Sequence, residues 1–377
     1  MMEMIKVLFF IHDLGEGGAE KVLVNLVNNM NSNIFSITLI SIFGGGINEQ
    51  YLSPNIKYHA IFKNIFPANS YIMKLFTPRQ LHKWFIKDKY DIEISYLEGP
   101  SARIVSGCPN KETKLISWIH CTMHSIEEVS KPFRNFSEAK KCYNQFYSMV
   151  YVSEACKEAF QQVCYTEGQQ MVLYNSNDST LIQYKMKEEI DDTSFKQYEF
   201  TWCGVGKLIP IKAFDRMLRI QKKLISEGKK THLLILGDGP LRKELEKWCE
   251  IHEIETSVTF LGYQKNPYKY MRRCDLFVCS SLSEGFSTAA TEALIVGIPV
   301  CTVEVSGMKE LLGGDNEYGI VVNNDEESLF NAIQSLIENK NLLEHYKQKA
   351  IERGRTFTIE NTVKAVENFL MKVSGKQ

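Results

Sequence analysis

The sequence predicts an α/β protein of two consecutive domains, each built on a parallel sheet. Three observations indicate this class. The chain has 377 residues, more than one ordinary core accommodates. Short apolar runs alternate with helical patterns along its length. A polar stretch, residues 175–197, separates two series of such runs. We therefore expect a ligand between the two domains, outside the carboxyl ends of the strands.

The first series of apolar runs predicts six strands. They are residues 5–11, 36–42, 92–97, 113–119, 148–152 and 170–174. The segment GAEKVLVNLVNNM is predicted as a helix because Val22, Leu23, Leu26 and Val27 fall on one face. The start of the chain carries Glu3 and only a short apolar run, which favours a buried strand over a signal peptide.

The second series predicts five more strands, each followed by a turn and a helix. They are residues 198–206, 231–237, 257–262, 274–280 and 298–302. Three helical segments begin near Asp325, Asn341 and Ile359 and complete the chain. The rhythm of the second series matches that of the first, so we expect two domains of similar architecture.

Charge and cysteine content narrow the function. With 44 Lys and Arg against 45 Asp and Glu, the chain is not a nucleic-acid binder that relies on bulk positive charge. Ten cysteines occur without a C-x-x-C pair or zinc-ligand spacing. We interpret them as reduced thiols in a cytoplasmic protein and expect no metal site. The longest weakly polar stretch, FSITLISIFGGGI, is too short to span a bilayer, so any membrane contact is expected to be peripheral.

Two acids flank a run of small residues in SLSEGFSTAATEAL. Glu284 lies before a helix predicted to begin near Ser287, and Glu292 lies within it. The backbone N–H groups of residues 285–288 would favour a phosphate or a sugar oxygen. A carboxylate can accept hydrogen bonds from two sugar hydroxyls at once. The alternative is a helix with a charged entrance and one solvated Glu.

Basic residues follow another predicted strand in GVGKLIPIKAFDRML. Lys207 and Lys212 lie where both ammonium groups could converge on an anion, although lysines near a helix start are often only surface charges. Near the chain start, Gly15, Gly17 and Gly18 follow the first strand. Their spacing fails the dinucleotide fingerprint, which disfavours a nicotinamide-dependent dehydrogenase and leaves a tight turn as the alternative.

Two further features point to function, each with a structural alternative. His120 follows a predicted strand and would face the cleft, or it could be a structural histidine. Residues 61–90 are rich in aromatic and basic side chains. A helix from Pro78 would place Leu81, Trp84 and Phe85 on one side, with basic residues towards another. This pattern suits an anionic membrane surface, or an ordinary helix packed on a sheet.

These segments together resemble the retaining glycosyltransferases of family four. The family's E-x7-E motif is matched by SEGFSTAATEALIVGIPVCT, and its basic phosphate-binding segment by CGVGKLIPIKAFDRML. The segments LLILGDGPLRKELE, VTFLGYQKNPYKYMRRCDLFVCSS, GGAEKVLVNL and YVSEACKEAF match in order and spacing. The resemblance implies the GT-B fold, in which two Rossmann-like domains face a central cleft. The expected domains are 1–178 and 179–356, with a helix in 357–377 packed back on the first domain.

The resemblance also implies roles for individual residues. Glu284 would contact the donor sugar and Glu292 the ribose, Lys207 and Lys212 would bind the diphosphate, and His120 would lie beside the reacting centre. The other implied donor contacts are Gly17, Gly18, Gly262, Tyr263, Gly285, Phe286, Ser287 and Thr288. Two positions depart from the family pattern. Lys207 stands in place of Arg, and Ala213 stands in place of Gly or Asn, with little effect expected.

The expected activity is retaining transfer of a hexose or N-acetylhexosamine from a nucleotide sugar, UDP-linked, to a glycan or lipid-linked glycan in cell-surface polysaccharide synthesis. The two lysines and a helix amino end can stabilise the leaving diphosphate without a metal or other cofactor. No Asp-x-Asp pair appears in the predicted strand-end loops. The alternatives are a sugar-nucleotide epimerase of the same architecture and a non-catalytic partner of another transferase.

Overall fold

The computed structural model describes residues 4–190 and 198–375. They form two compact units, Met1–Asn177 with Ile359–Gln377, and Asp178–Thr358. These boundaries lie one and two residues from the expected positions. Part of the polar stretch between the two series, residues 191–197, lies outside the described residues. Within the described parts of the chain, no helix is both long and apolar enough to cross a membrane.

The N-terminal unit is built on a seven-stranded parallel sheet with the strand order β3-β2-β1-β4-β5-β6-β7. The strands are β1 (Ile5–Ile11), β2 (Phe35–Phe43), β3 (Lys57–Phe62), β4 (Ile92–Ser95), β5 (Lys114–Ile119), β6 (Ser148–Tyr151) and β7 (Gln169–Val172). The six predicted strands are confirmed. Strand β3 was not predicted, because this edge strand is only partly buried and its sequence, KYHAIF, lacks a continuous apolar run.

Among the described residues, eight α-helices belong to the N-terminal unit. They are α1 (Gly18–Asn29), α2 (Asn69–Leu75), α3 (Pro78–Phe85), α4 (Pro100–Val105), α5 (Ile126–Ser130), α6 (Phe136–Tyr143), α7 (Glu154–Val163) and α16 (Ile359–Ser374). The predicted apolar face of α1 is buried. Helix α16 packs on α1, and the Asn31 N–H donates to Glu367 Oε1 at 2.6 Å. The last helix therefore belongs to the N-terminal unit although it ends the sequence.

The C-terminal unit is built on a six-stranded parallel sheet with the strand order β10-β9-β8-β11-β12-β13. The strands are β8 (Phe200–Val205), β9 (Thr231–Leu236), β10 (Val258–Gly262), β11 (Leu276–Cys279), β12 (Val300–Val303) and β13 (Ile320–Val322). The five predicted strands are confirmed. Strand β13 was missed because it has only three residues, all half-buried at the sheet edge.

In the described part of the C-terminal unit there are eight α-helices. They are α8 (Ser179–Lys185), α9 (Phe214–Ser226), α10 (Arg242–Ile251), α11 (Tyr268–Met271), α12 (Thr288–Val296), α13 (Met308–Leu312), α14 (Glu326–Glu338) and α15 (Lys340–Gly354). Helix α9 places Met217, Leu218 and Leu224 in a core with β8, β9 and α14. Helix α14 begins after its N-cap Asp325, as the sequence predicted.

In each sheet, the direction in which successive strands are added reverses between two neighbouring strands. In the N-terminal unit this point lies between β1 and β4, and in the C-terminal unit between β8 and β11. At such a point the connections leave in opposite directions, so the loops at the carboxyl ends diverge and open a crevice for a ligand. The predicted site residues follow these strands and their neighbours.

Candidate active site

The site in the C-terminal unit lies at the point where its sheet reverses. Strands β8 and β11 are hydrogen-bonded in parallel, with Leu276 opposite Trp202 and Phe277 opposite Cys203. Both strands run in the same direction, so the loops that follow them lie side by side. The β8 loop carries Lys212, and the β11 loop carries Glu284.

An ion pair joins these two loops. Lys212 Nζ lies 2.6 Å from Glu284 Oε1, and the Ser281 hydroxyl donates to the same oxygen at 2.6 Å. The Glu284 side chain is only 10% exposed and that of Lys212 29%. Burial alone would lower the pKa of Lys212, but the Glu284 carboxylate outweighs it and the pKa is raised. Lys212 is therefore a cation at neutral pH, held against an acid.

Ser280, a buried residue directly after β11, holds the backbone of the loop that carries Lys212. Its hydroxyl contacts two carbonyl oxygens, Lys212 O at 3.1 Å and Ala213 O at 3.0 Å. The Leu282 N–H also donates to Ile211 O at 2.8 Å. These contacts fix the position of Lys212 relative to the carboxyl edge of the sheet. The sequence analysis did not identify Ser280, whose signal is a hydroxyl residue at a strand's carboxyl end.

Ala213 occupies a backbone conformation that disfavours alanine. It links the turn Pro210–Lys212 to helix α9 with φ 48° and ψ 46°, in the left-handed region. Side chains other than Gly cost about 1–2 kcal/mol there, and Asn tolerates it best. The family residues at this position, Gly or Asn, suit that geometry. The expectation that Ala213 has little effect is therefore wrong for the energy of the backbone.

Lys207 behaves differently from Lys212. It is exposed and, within residues 4–190 and 198–375, its side chain makes no hydrogen bond or ion pair. The structure thus brings Lys212 to Glu284 and leaves the Lys207 ammonium in solvent. Its place directly after β8 still puts it at the same sheet edge.

Helix α12 begins as predicted. Ser287 is its N-cap and accepts a hydrogen bond from the Ala290 N–H, with Thr288 as the first helical residue. Gly285 and Phe286, in the loop before it, are buried. Glu292 is only 4% exposed and accepts a hydrogen bond from the Tyr268 hydroxyl at 3.0 Å. The alternative of a solvated Glu292 is therefore wrong.

Gly262 ends strand β10 at the same carboxyl edge, and Tyr263 follows it. Gly262 has φ +68°, in the left-handed region that favours glycine, and a Cβ there would lie 2.8 Å from Arg242 Nη1. The Arg242 guanidinium is held by Asp238 at 3.0 Å. Tyr263 is 44% exposed. The Tyr263 side chain is thus open to solvent beside Gly262, where the resemblance implies donor contacts.

In the N-terminal unit, His120 lies after β5 and beside Glu98, which follows β4. The His120 N–H donates to Glu98 Oε2 at 2.9 Å, and Cys121 Sγ donates to Glu98 Oε1 at 2.9 Å. Burial lowers the pKa of His120 to about 3, so its ring is neutral at physiological pH. Its Nε2 is buried and has no hydrogen-bond partner among the described residues. A neutral imidazole can donate to or accept from a ligand hydroxyl.

Acids surround the glycine loop at the start of α1. Gly17 is the N-cap of α1, and a Cβ there would collide with the Glu20 carboxylate. Gly18 is the first helical residue. Burial, and then nearby Asp13 and Glu98, raise the pKa of Glu20. The sequence analysis missed these three acids. They favour hydroxyl groups over phosphate as ligands of this edge.

The segment 61–90 presents apolar side chains to solvent. On α2, Tyr71 and Leu75 are each 74% exposed, and on α3 Trp84 is 45% exposed. The helix predicted from Pro78 is confirmed. Leu81 and Trp84, three positions apart on this helix, share a side as predicted, but Leu81 is buried while Trp84 is at the surface and contacts Phe76.

Two parallel sheets, each in a Rossmann-like strand order, give the chain the architecture of the GT-B fold. Residues 185–353, most of the C-terminal unit, match the family described as glycosyl transferases group 1. This part of the chain therefore agrees with the expected family, the group 1 glycosyltransferases.

A relative and two solved structures are similar to the chain over nearly its whole length. The chain is 29% identical to N-acetylgalactosamine-N,N'-diacetylbacillosaminyl-diphospho-undecaprenol 4-alpha-N-acetylgalactosaminyltransferase of Campylobacter jejuni, covering 94% of this chain and 96% of the relative. Anabaena HepE in complex with UDP is 20% identical, with a TM-score of 0.74 over 98% of this chain and 100% of that one. Sucrose-phosphate synthase from Thermosynechococcus elongatus is 15% identical, with a TM-score of 0.77 over 99% and 100%. Both structures show that the fold is shared.

Proposed function

We propose that the chain transfers an N-acetylhexosamine or hexose from a UDP-sugar to a lipid-linked glycan, with retention of configuration. The observation that carries the proposal is the Lys212–Glu284 pair at the β8–β11 crevice, beside the amino end of α12. The similar enzyme from Campylobacter jejuni is named for an α-linked N-acetylgalactosamine transfer to a diphospho-undecaprenol-linked glycan. The HepE structures hold UDP and UDP-glucose.

The Lys212–Glu284 pair suits a donor that carries both phosphate and hydroxyl groups. A cation and an anion 2.6 Å apart can meet the diphosphate on one side and a sugar hydroxyl on the other. The exposed Lys207 would add a second positive charge as the sugar–phosphate bond breaks. Negative charge that develops on the leaving oxygen is then stabilised by the lysines and the amino end of α12.

The chemistry of the remaining groups favours attack by the acceptor on the face that the diphosphate leaves. Glu284 Oε1 already accepts from Lys212 and Ser281, which positions this carboxylate to hold hydroxyls better than to attack carbon. The acceptor hydroxyl would lose its proton to the departing phosphate oxygen. His120, neutral through its lowered pKa, would hydrogen-bond a substrate hydroxyl and carry no charge.

The decisive experiment supplies UDP-sugars singly, with and without an undecaprenyl-diphosphate-linked glycan. We expect one UDP-sugar to be consumed only when the acceptor is present, giving an α-linked product by NMR. Conversion of the donor to another nucleotide sugar without acceptor would establish an epimerase instead. Absence of turnover with every donor would favour a non-catalytic partner, and a β-linked product would refute retention.

A pair of variants tests the site itself. Glu284→Gln keeps the shape of the side chain but removes its charge, and we expect loss of turnover with the fold retained. The matched control is Glu199→Gln, which breaks the exposed Lys230–Glu199 pair at 2.9 Å before β8 and should leave turnover unchanged. Trapping of a sugar on Glu284 by mass spectrometry would contradict the attack described above.

A lipid-linked acceptor requires the enzyme to reach a membrane surface, and we propose that residues 61–90 do so. Exposed Tyr71, Leu75 and Trp84 can enter the interface. Lys83 on α3 and Lys87 just after it are exposed and can meet anionic headgroups. Each lysine near such a surface contributes about 1 kcal/mol. Their joint reversal should therefore lower partitioning by at least about 30-fold.

The measurement is sedimentation with vesicles that contain phosphatidylglycerol. Lys83→Glu with Lys87→Glu should lose binding, and Trp84→Ala should weaken it. The charge-matched control reverses Lys111 and Lys141, two exposed lysines of the same unit outside the segment. Equal binding by both double variants would show that net charge alone, and not this segment, attracts the vesicles.

A further inference from the structure

Three side chains with metal-binding atoms converge away from the active site, in the N-terminal unit. His82 comes from α3, Glu93 from β4, and Cys108 from the loop after α4. Their ligand atoms all lie within 4.8 Å of one another. Glu93 is the second residue of β4, whereas Glu98 follows the carboxyl end of that strand. The cluster is therefore separate from the Glu98–His120 region along the sheet.

The contacts within the cluster are close and mostly buried. His82 Nε2 lies 2.8 Å from Glu93 Oε2, and their side chains are 7% and 2% exposed. Cys108 Sγ donates to the other oxygen, Glu93 Oε1, at 3.6 Å and is half-buried. A carboxylate buried to this degree is costly unless a cation faces it. The cluster thus has its anion inside and its thiol towards solvent.

We propose that His82, Glu93 and Cys108 bind a zinc ion. Zinc accepts imidazole nitrogen, thiolate sulfur and carboxylate oxygen together, at about 2.0–2.3 Å. In a tetrahedral site those bond lengths place the ligand atoms roughly 3.3–3.7 Å apart. The His82–Glu93 and Cys108–Glu93 contacts, at 2.8 and 3.6 Å, lie below and within this range, and no two of the three ligand atoms are more than 4.8 Å apart. Small side-chain shifts would therefore admit the ion. Mg²⁺ and Ca²⁺ prefer all-oxygen sites and do not fit these donors.

The local chain geometry holds the ligands at this range. Gly107 packs against the Pro78 carbonyl, so closely that a Cβ there would collide with it. This contact brings the loop that carries Cys108 onto the first turn of α3, the helix that carries His82. The fourth zinc position would face the half-exposed thiol side and take water. The ion would tie α3, and with it Lys83 and Trp84, to the sheet.

Zinc binding must displace a proton from the thiol. Cys108 Sγ donates to Glu93 Oε1, whereas the thiolate is the form that ligates. Cys108 therefore releases its proton to solvent as the zinc–sulfur bond replaces the sulfur–hydrogen bond. The hydrogen between His82 Nε2 and Glu93 must also leave Nε2 before that nitrogen can ligate.

The test is titration of the chelator-treated, full-length protein with Co²⁺, which has the same ligand preferences and is visible in the spectrum. We expect one equivalent to bind with a thiolate-to-cobalt charge-transfer band, which Zn²⁺ removes and Mg²⁺ does not. Cys108→Ser should abolish the band. The control Cys121→Ser, at the exposed thiol, should retain it.

Two further measurements keep the result interpretable. His82→Gln removes one ligand and leaves the Cys108 thiol in place. It should weaken zinc binding by more than the roughly 10- to 100-fold that loss of a hydrogen-bond partner of a ligand costs. Zinc should raise the Tm of the wild type and not that of Cys108→Ser, whose metal-free Tm serves as the folding control. A wild type without a stoichiometric band, or a band that persists in Cys108→Ser, would overturn the proposal.

Discussion

The Lys212–Glu284 ion pair makes a quantitative prediction about stability. At 2.6 Å and an effective dielectric constant of 20, two unit charges attract by about 6 kcal/mol. Taking both charges partly out of water costs several kcal/mol, which offsets most of this attraction. Charged hydrogen bonds of this kind retain about 1.5–3 kcal/mol. We expect that coupling free energy in a double-mutant cycle of Lys212→Met and Glu284→Gln.

The assay is urea unfolding of the wild type, both single variants and the double variant. Because the pKa of Lys212 is raised, its contribution is present below the unfolded value of about 10.4 and is lost only as pH rises above it. The coupling should therefore be constant from pH 6 to pH 9. A coupling below about 0.5 kcal/mol would refute the reasoning.

The exposed Lys230–Glu199 pair is the matched control for this cycle. Its ammonium and carboxylate are 2.9 Å apart, nearly the same separation, but the side chains are 76% and 69% exposed. Solvent and salt screen such a pair, so its cycle should give no measurable coupling. If both pairs behaved alike, burial would not be the source of the Lys212–Glu284 coupling free energy.

Lys212→Met should also lower kcat by about 10²–10³, the usual cost of losing one charge-stabilising donor.

Three further changes give expected outcomes in urea unfolding. The unfolded chain protonates His120 below about pH 6.5, whereas the folded chain does not, because its pKa is about 3. Wild type should therefore lose about 3 kcal/mol against His120→Gln by pH 4, and parallel pH profiles would contradict this. Ala213→Asn should stabilise by about 0.5–1 kcal/mol through relief of the left-handed backbone, and a lower midpoint would count against that strain. Tyr268→Phe should cost about 1.5–3 kcal/mol through loss of a bond to buried Glu292, whereas an unchanged midpoint would show that the hydroxyl is dispensable.

The fold followed from the sequence wherever strands were central and apolar. All eleven predicted strands are present, because strands buried on both faces of a parallel sheet need continuous apolar runs that stand out in a sequence. The two missed strands, Lys57–Phe62 and Ile320–Val322, lie at sheet edges. An edge strand is paired on one side only and tolerates polar residues, so its pattern is weak.

The candidate site was predictable where it depends on position after a strand. Glu284, Glu292, Lys207 and Lys212 were identified because functional loops follow the carboxyl ends of parallel strands. Their functional roles stay predictions. The same rule would have found Glu98 and Ser280, which also follow strand ends, had it been applied to every strand. The contacts between loops could not be predicted, because they depend on which strands are neighbours.

The His82, Glu93 and Cys108 cluster shows a different limit. Metal motifs are recognised in sequences when two ligands lie within one turn or loop, and these residues are 11 and 15 positions apart on three different elements. No short spacing in the sequence therefore predicts this cluster. They meet because α3 and β4 both pack against α4 and because Gly107 allows the loop after α4 to approach α3.

By itself the sequence determined the α/β class, the two-part organisation and the residues at strand ends, because apolar periodicity and turn residues act locally along the chain. Only the tertiary structure decided that Lys212 faces Glu284, that Glu292 is buried against Tyr268, and that three distant ligands converge on one point. Partners that are far apart in the chain meet through strand order and helix packing. Strand order and helix packing depend on the summed burial of the whole core, which no short stretch of residues determines.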